Sequence, residues 1–239
     1  MDVYNYTVKK MKNLSIKSSE IKSWDHYWEG SGIKSKRFFY NIVASSYRRF
    51  LIRPHLNHFM KKYFRKHAKV LHAGCGGGEV DTDLQKYLNI TALDFSQNAL
   101  KKYRKRHKGK VVTGDIRTLR FKPSSFDGVY NLGVLEHFNK EDIKKILKGF
   151  NRVLKAKGTL VIFWPPEFGV SVSFFKILVV ICRELLNIKN VEFHPVELSR
   201  LKSKREVKKI FRDSGFRVIE CSYGLRDLFT YVVIVARKK

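Results

Sequence analysis

The chain has 239 residues, 44% of them hydrophobic, which suffices for one sizeable α/β domain with an elaboration and excludes wholesale disorder. Its three cysteines, Cys75, Cys182 and Cys221, show no C-x-x-C spacing, which argues against a zinc site or a disulfide framework and fits a reducing, cytoplasmic compartment. The formal net charge is +28 and uneven, with no acid between Glu29 and Glu79 or between Asp94 and Asp115, so the surface is either an attractor of anions (RNA, an anionic membrane surface, phosphorylated metabolites) or a solvated lysine-rich face without a partner.

Residues 1–23 are polar and lysine-dotted, without the apolar run of a secretory signal, and are expected to be loosely ordered. From Trp24 to His67 the pattern is helical, with Phe38, Phe39, Ile42, Val43, Tyr47, Phe50 and Leu51 spaced for one buried face. Pro54 predicts a new helix start. Residues 1–67 therefore read as a tail and a helical cap.

From Ala68 strands and helices alternate. "KVLHA", "ITALD", "GKVVTGD", "FDGVYNLGV" and "GTLVIFWP" read as strands. "EVDTDLQKYL", "SQNALKKYRKRH" and "KEDIKKILKGFNRVL" read as the helices between them. This rhythm predicts a doubly wound, mostly parallel sheet covered by helices on both faces. It breaks after Trp164. Residues 165–197 form an insertion, "FGVSVSFFKILVVICRELLN" being apolar but too short and too charged for a membrane span. It is expected to be a buried or lid helix, or one resting on a membrane surface, which would make the protein peripheral there. "SKREVKKIFRDSGF" then reads as a helix closed by Gly215. Two strands, in "RVIECSYG" and "LFTYVVIVARKK", end the domain of residues 68–239.

The chemistry concentrates in "VLHAGCGGGEVD", residues 70–81. Gly74, Gly76, Gly77 and Gly78 follow a strand, where backbone can approach a ligand closely. A dinucleotide site would use G-x-G-x-x-G, whose third small position falls here on Glu79. The spacing present is G-x-G-x-G. Asp94 ends the second strand, where a carboxylate accepts both hydroxyl hydrogens of a ribose. Asp115 ends the third, where it could hold an adenine amino group with Ile116 against the ring. Glycine backbone, acid and acid at three successive strand ends point to an adenosine without a pyrophosphate.

These motifs resemble the class I S-adenosylmethionine-dependent methyltransferases, in particular the type-11-like group, over roughly residues 68–164. "HAGCGGG" is similar to the family's first motif, "GDI" to its adenine motif and "FDGVYNLGVLEHF" to its fourth-strand motif, including the pair Glu136–His137. "RVLKAKGTLVIFWP" resembles the helix–turn–strand that follows, with Gly158 at the turn. The resemblance implies a Rossmann-like seven-stranded sheet whose last strand is antiparallel. It implies S-adenosyl-L-methionine as cofactor, S-adenosyl-L-homocysteine as product, and methyl transfer as the activity. The cofactor would lie against His72, Gly74, Cys75, Gly76 and Gly78, with Asp94, Phe95, Asp115, Ile116 and Asn131 at the following strand ends. His72 departs from the pattern, since the family usually has Asp or Glu two residues before the first glycine, orienting the cofactor's amino group. A neutral histidine accepts a hydrogen bond there, whereas a protonated one repels an ammonium.

Transfer from a sulfonium needs alignment and exclusion of water more than covalent help. A general base matters for a hydroxyl or a protonated amine, and Glu136 and His137 are the candidates, with an equal claim to bracing the next helix. The fourth strand ends "NLGV", not the Asn/Asp-Pro-Pro-aromatic turn of adenine amino methylation, and no cysteine lies where carbon-5 pyrimidine chemistry needs one. No compact His/Asp/Glu cluster suggests a metal. "WDHYWEGSG" and "FWPPEF" supply aromatics for an apolar or planar acceptor. The expected acceptor is a small molecule, lipid-like or anionic. RNA is the alternative, and a protein that binds the cofactor without transferring its methyl is the third reading.

Overall fold

The computed structural model describes residues 18–29, 45–167 and 198–239. Residues 1–17, 30–44 and 168–197, and with them most of the expected tail, the Phe38–Val43 stripe, the insertion helix and Cys182, lie outside the described residues. Helix α1 spans Ser18–Glu29 and α2 spans Arg53–Tyr63. The strands are β1 (Lys69–Ala73), β2 (Asn89–Asp94), β3 (Lys110–Thr113), β4 (Phe126–Leu132), β5 (Leu154–Trp164), β6 (Phe216–Ser222) and β7 (Val232–Lys238). Between them lie α3 (Gln97–Arg106), α4 (Lys140–Val153) and α5 (Lys204–Asp213).

The strands form one seven-stranded sheet in the order β3-β2-β1-β4-β5-β7-β6. The first five pair in parallel, and β7 runs antiparallel between β5 and β6. This is the doubly wound arrangement that the sequence pattern predicts, with the last strand antiparallel as the resemblance implies. In β1, Val70 packs on the α2 side with Phe59, Tyr130 and Phe163, while Leu71 and Ala73 pack on the other with the apolar face of α4. Both faces are buried, which is why the central strands read as continuous apolar runs.

Helix α4 shows how the sequence sets these elements. Asn139 caps it by accepting the Asp142 N–H at 2.9 Å, and Glu141 and Asp142 complement the positive end of the helix dipole. Ile143, Ile146, Leu147, Phe150 and Val153 recur at helical spacing and are all buried. Each contributes about 1.5–3 kcal/mol by leaving water. Ser96 and Ser203 cap α3 and α5 in the same way, through the Ala99 and Glu206 N–H groups.

Three expectations need correction and one needs refinement. "EVDTDLQKYL" is not an α-helix but two 3₁₀ turns, Glu79–Asp81 and Leu84–Lys86. Val80, Leu84 and Leu88 keep their helical spacing toward the core, but Asp81 is drawn fully inside by polar partners, and the backbone bonds tighten to Asp81 N–H to Gly78 O and Tyr87 N–H to Leu84 O. Helix α1 begins at Ser18, within the segment expected to be loose, because Glu20 and Asp25 find partners on the sheet domain. Pro54 does stand in the first turn of an α-helix, Arg53–Tyr63, as its position predicts, but that helix continues an earlier helical run. Residues 45–52 are already helical, and Arg53 N–H bonds to Arg48 O in the wider π pattern, which fits the displacement a proline ring imposes on the turn before it. Gly158 does not sit at a helix–strand turn. Helix α4 runs directly into β5, and the register jumps from Phe126↔Leu154 to Gly128↔Thr159, so residues 155–158 bulge, with Lys157 at φ 58°.

Gly128 marks where α2 meets the sheet. A Cβ there would overlap the Phe64 ring, whereas one on Gly224 would meet nothing within 4 Å. Gly128→Ala is expected to cost about 1–3 kcal/mol in urea unfolding by overpacking. Gly224→Ala should stay within about 0.5 kcal/mol of the parent.

Candidate active site at the carboxyl edge of the sheet

Strands β1, β2, β3 and β4 end side by side, and each delivers a polar element to the same edge. After β1 the chain turns through Gly74, Gly76 and Gly78 at φ of 78°, 52° and 73°, a conformation that favours glycine. The turn is pinned from below and from the side. Gly74 and Cys75 N–H groups both donate to Leu93 O, at 2.8 and 3.0 Å. Arg106 donates to Gly77 O at 2.8 Å and His107 to Gly78 O at 2.6 Å, both from the end of α3.

Asp94 binds the loop directly. Its Oδ2 accepts the Gly76 N–H and its Oδ1 the Ser96 N–H, both at 2.9 Å. Burial pushes its carboxyl above the usual range, against the opposing effect of these N–H donors. Phe95, next in the chain, meets the edge of Trp24. Asp115 is buried, and both its oxygens accept from Arg117, from N–H at 2.9 Å and Nε at 2.8 Å. Ile116 packs into the core shared with Leu119 and Phe150. Asn131 is fully buried at the end of β4. Its Nδ2 donates to Ala73 O at 2.5 Å, while its Oδ1 has no partner among the described residues.

His72 does not stand at the edge alone. Its Nδ1 lies 2.7 Å from Asp81 Oδ2, and its ring stacks on Tyr130 at 4.1 Å and 24°. Asp81 also accepts the hydroxyls of Tyr103 and Tyr130, both at 2.7 Å. Burial works to raise the Asp81 pKa, but the charge of His72 and the three donors outweigh it and hold the carboxyl below its usual range. The two tyrosines are raised instead, first by burial and then by the Asp81 charge, so they remain protonated donors. Cys75 is likewise raised, by burial and then by Asp94 and Asp81, which keeps it a thiol rather than a nucleophilic thiolate.

Glu136 and His137 follow β4 in a 3₁₀ turn. Glu136 is buried, and its backbone oxygen receives the returning chain through the N–H groups of Leu198 and Ser199 at 2.6 and 2.9 Å. A Cβ on Gly133 would lie 3.0 Å from Tyr231 Oη and 3.5 Å from Glu136 Oε1, which places both groups around that glycine. The His137 ring meets the edge of Trp24 at 4.9 Å.

Sequence reasoning missed the breadth of the α1 contacts. Ser96 donates to Asp25 Oδ1 at 2.6 Å, Asn98 Nδ2 to Glu29 Oε1 at 3.1 Å, and Arg117 to Glu20 Oε2 at 3.0 Å. The Trp28 indole packs against Gly76 and Gly77, and Trp24 spans Phe95 and His137. The aromatic spacing of "WDHYW" was the available signal. Asp81 and its tyrosines were missed entirely. Among the described residues there is no cluster of three His, Cys, Asp or Glu side chains able to hold a metal, and no helix long and apolar enough to cross a membrane.

Residues 71–162 match the family model of a methyltransferase domain. Over 144 residues the chain is 32% identical to an uncharacterized protein of Methanocaldococcus jannaschii, covering 60% of each. Over 98 residues it is 38% identical to a demethylmenaquinone methyltransferase of Thermotoga maritima, covering 39% of this chain and 42% of that one. The chain thus spans less than two thirds of the length of these relatives. Among solved structures, a magnesium protoporphyrin IX methyltransferase from Synechocystis with bound S-adenosylhomocysteine superposes with a TM-score of 0.61 at 15% identity, over 93% of this chain and 95% of that one. An S-adenosylmethionine-dependent methyltransferase from Methanosarcina mazei gives 0.59 at 17% identity, over 75% and 96%. At those identities the likeness is one of fold.

The ionised Asp81 stabilises the fold above the ordinary carboxylate range, and that contribution is lost as pH falls through its lowered pKa. The denaturant midpoint of the parent should therefore drop below about pH 4. In Asp81→Asn, which takes up no proton, the drop should be shallower. Parallel acid limbs in the two proteins would contradict an ionised Asp81.

Proposed function

We propose, from the match of residues 71–162 to the methyltransferase-domain family, that the chain transfers the methyl group of S-adenosylmethionine to a small-molecule acceptor, lipid-like or anionic. One observation carries this reading. The positive-φ glycine turn, Asp94, Asp115 and Asn131 converge on one sheet edge from four adjacent strands. In this reading residues 1–67 form a tail and cap, and residues 68–239 form the domain that binds the cofactor.

The donor set fits the group. Asn131 Oδ1 is a buried acceptor without a partner among the described residues, which fits a site that receives a hydrogen-bond donor. Each Asp94 oxygen accepts one backbone N–H and keeps a lone pair for a ribose hydroxyl. Asp115, held by Arg117, retains the same capacity toward an adenine amino group, next to Ile116. When bound, the sulfonium supplies a methyl carbon with a neutral leaving group. The chain's own work is alignment and the exclusion of water, which Trp24, Trp28 and Phe95 serve by covering the edge. For a hydroxyl or protonated amine acceptor, Glu136 and His137 take the role of general base or of its orienting partner.

The basic surface favours RNA as the second acceptor class, with Lys101, Arg104, Lys105 and Lys108 exposed on and just beyond α3. Incubating small-molecule, lipid and RNA fractions of a cell extract with methyl-labelled cofactor separates the readings. Label is expected in a small-molecule or lipid fraction. Label confined to RNA would move the assignment to nucleic acid, and label in none would leave a cofactor-binding protein. Asp94→Ala is expected to weaken binding of S-adenosylhomocysteine by about 1–3 kcal/mol, measured by calorimetry. An unchanged affinity would remove Asp94 as the ribose acid.

A further inference from the structure

In the related family an acid stands two residues before the first glycine; here the residue is His72, one step ahead of the Ala73–Gly74 turn. The structure puts an acid behind it. Asp81 Oδ2 sits 2.7 Å from His72 Nδ1. An ionised carboxylate only accepts, so Nδ1 carries the hydrogen, and in the neutral ring the opposite nitrogen, Nε2, is left with a lone pair. Stacking on Tyr130 fixes the ring plane, and the Tyr103 and Tyr130 hydroxyls fix the carboxylate. We propose that Asp81 is a positioning residue that makes His72 Nε2 the acceptor for the α-ammonium of the cofactor's amino-acid end, the pair doing together what a single carboxylate does in the family.

The proposal rests on the reading of this edge as an adenosylmethionine site. With the His72 ring neutral, the pair carries one negative charge, the same as the residue it replaces; with the ring protonated it carries none and Nε2 is a donor, and nitrogen-15 spectra tell the two apart. The other titratable groups facing the pair are the Tyr103 and Tyr130 hydroxyls from α3 and β4, the Cys75 thiol from the glycine turn, and Asp94 from β2. None of these four is a cation; the cations of α3 lie at its end, where Arg106 is held by Gly77 O and Glu79 and Arg104 acts on the Cys75 thiol. A purely structural role for Asp81, tying the glycine turn to α3 and β4, predicts a different response to ligands. It would affect every ligand of the turn alike.

The test therefore compares two probes by calorimetry at neutral pH on the full chain. S-adenosylhomocysteine carries the amino-acid end, and 5′-methylthioadenosine has the adenosine and sulfur without it. Asp81→Asn keeps the shape and removes the charge. It should weaken S-adenosylhomocysteine about tenfold, the loss expected when a charge-supported hydrogen bond fails, and change 5′-methylthioadenosine by less than about twofold. Equal losses for both probes, or no loss for either, would overturn the proposal. Binding of neither probe by the parent protein would instead defeat the adenosylmethionine reading itself. A measurement on the parent covers the case in which Asp81→Asn does not fold. In nitrogen-15 spectra, His72, assigned by its disappearance in His72→Gln, should show a protonated Nδ1 and a bare Nε2. Its Nε2 signal should move with S-adenosylhomocysteine and stay in place with 5′-methylthioadenosine. A protonated Nε2, or an unmoved signal, would overturn it.

Discussion

A single buried carboxylate organises the site. Asp81 has no access to solvent and would be costly there alone, since an isolated charge in the interior loses its hydration without return. It is kept ionised by three donors from three different elements: His72 on β1, Tyr103 on α3 and Tyr130 on β4. Satisfying Asp81 fixes where the first strand ends, how α3 approaches it, and why the chain after Gly78 tightens into 3₁₀ turns rather than an α-helix. The glycine turn is the consequence of that constraint. Gly78 has to accept the Tyr103 and His107 rings where a Cβ would stand.

The rest of the edge is built outward from this point. Asp94 ties the turn to β2 through the Gly76 N–H, and Asn131 ties β4 to the last residue of β1 through the Ala73 carbonyl. Helix α1 then lies over the assembled edge, held by Asp25, Glu20 and Glu29 and by the faces of two tryptophans. The acidic side chains of α1 face a chain with a net charge of +28, and they find Arg117 and the polar start of α3. Surface ion pairs of this kind hold little energy singly. Here they act together with aromatic contacts on Phe95, His137 and the glycine backbone.

Much of this was legible in the sequence because it depends on local pattern. The alternation of apolar strands and amphipathic helices, the capping serines, the G-x-G-x-G turn and the acids at strand ends are each encoded within a few residues. What escaped depends on distance. Val80, Leu84 and Leu88 keep a helical period, so the segment reads as a helix, and nothing within it shows that Asp81 turns inward to residues 22 and 49 positions away. Helix α1 owes its start to partners 71 and 97 positions along the chain, through Asp25 and Glu20. The bulge of residues 155–158 is set by the register against β4, which periodicity does not carry. His72 was visible as a departure from the family pattern, but the carboxylate beside it, Asp81, was not.

Four strand ends are proposed to hold an adenosine bearing an amino acid rather than a dinucleotide. Calorimetric titration of the parent protein with S-adenosylhomocysteine and, separately, with NADH addresses it most directly. Saturable one-to-one binding of S-adenosylhomocysteine and no heat of binding from NADH are expected. Binding of NADH with none of S-adenosylhomocysteine would contradict the proposal.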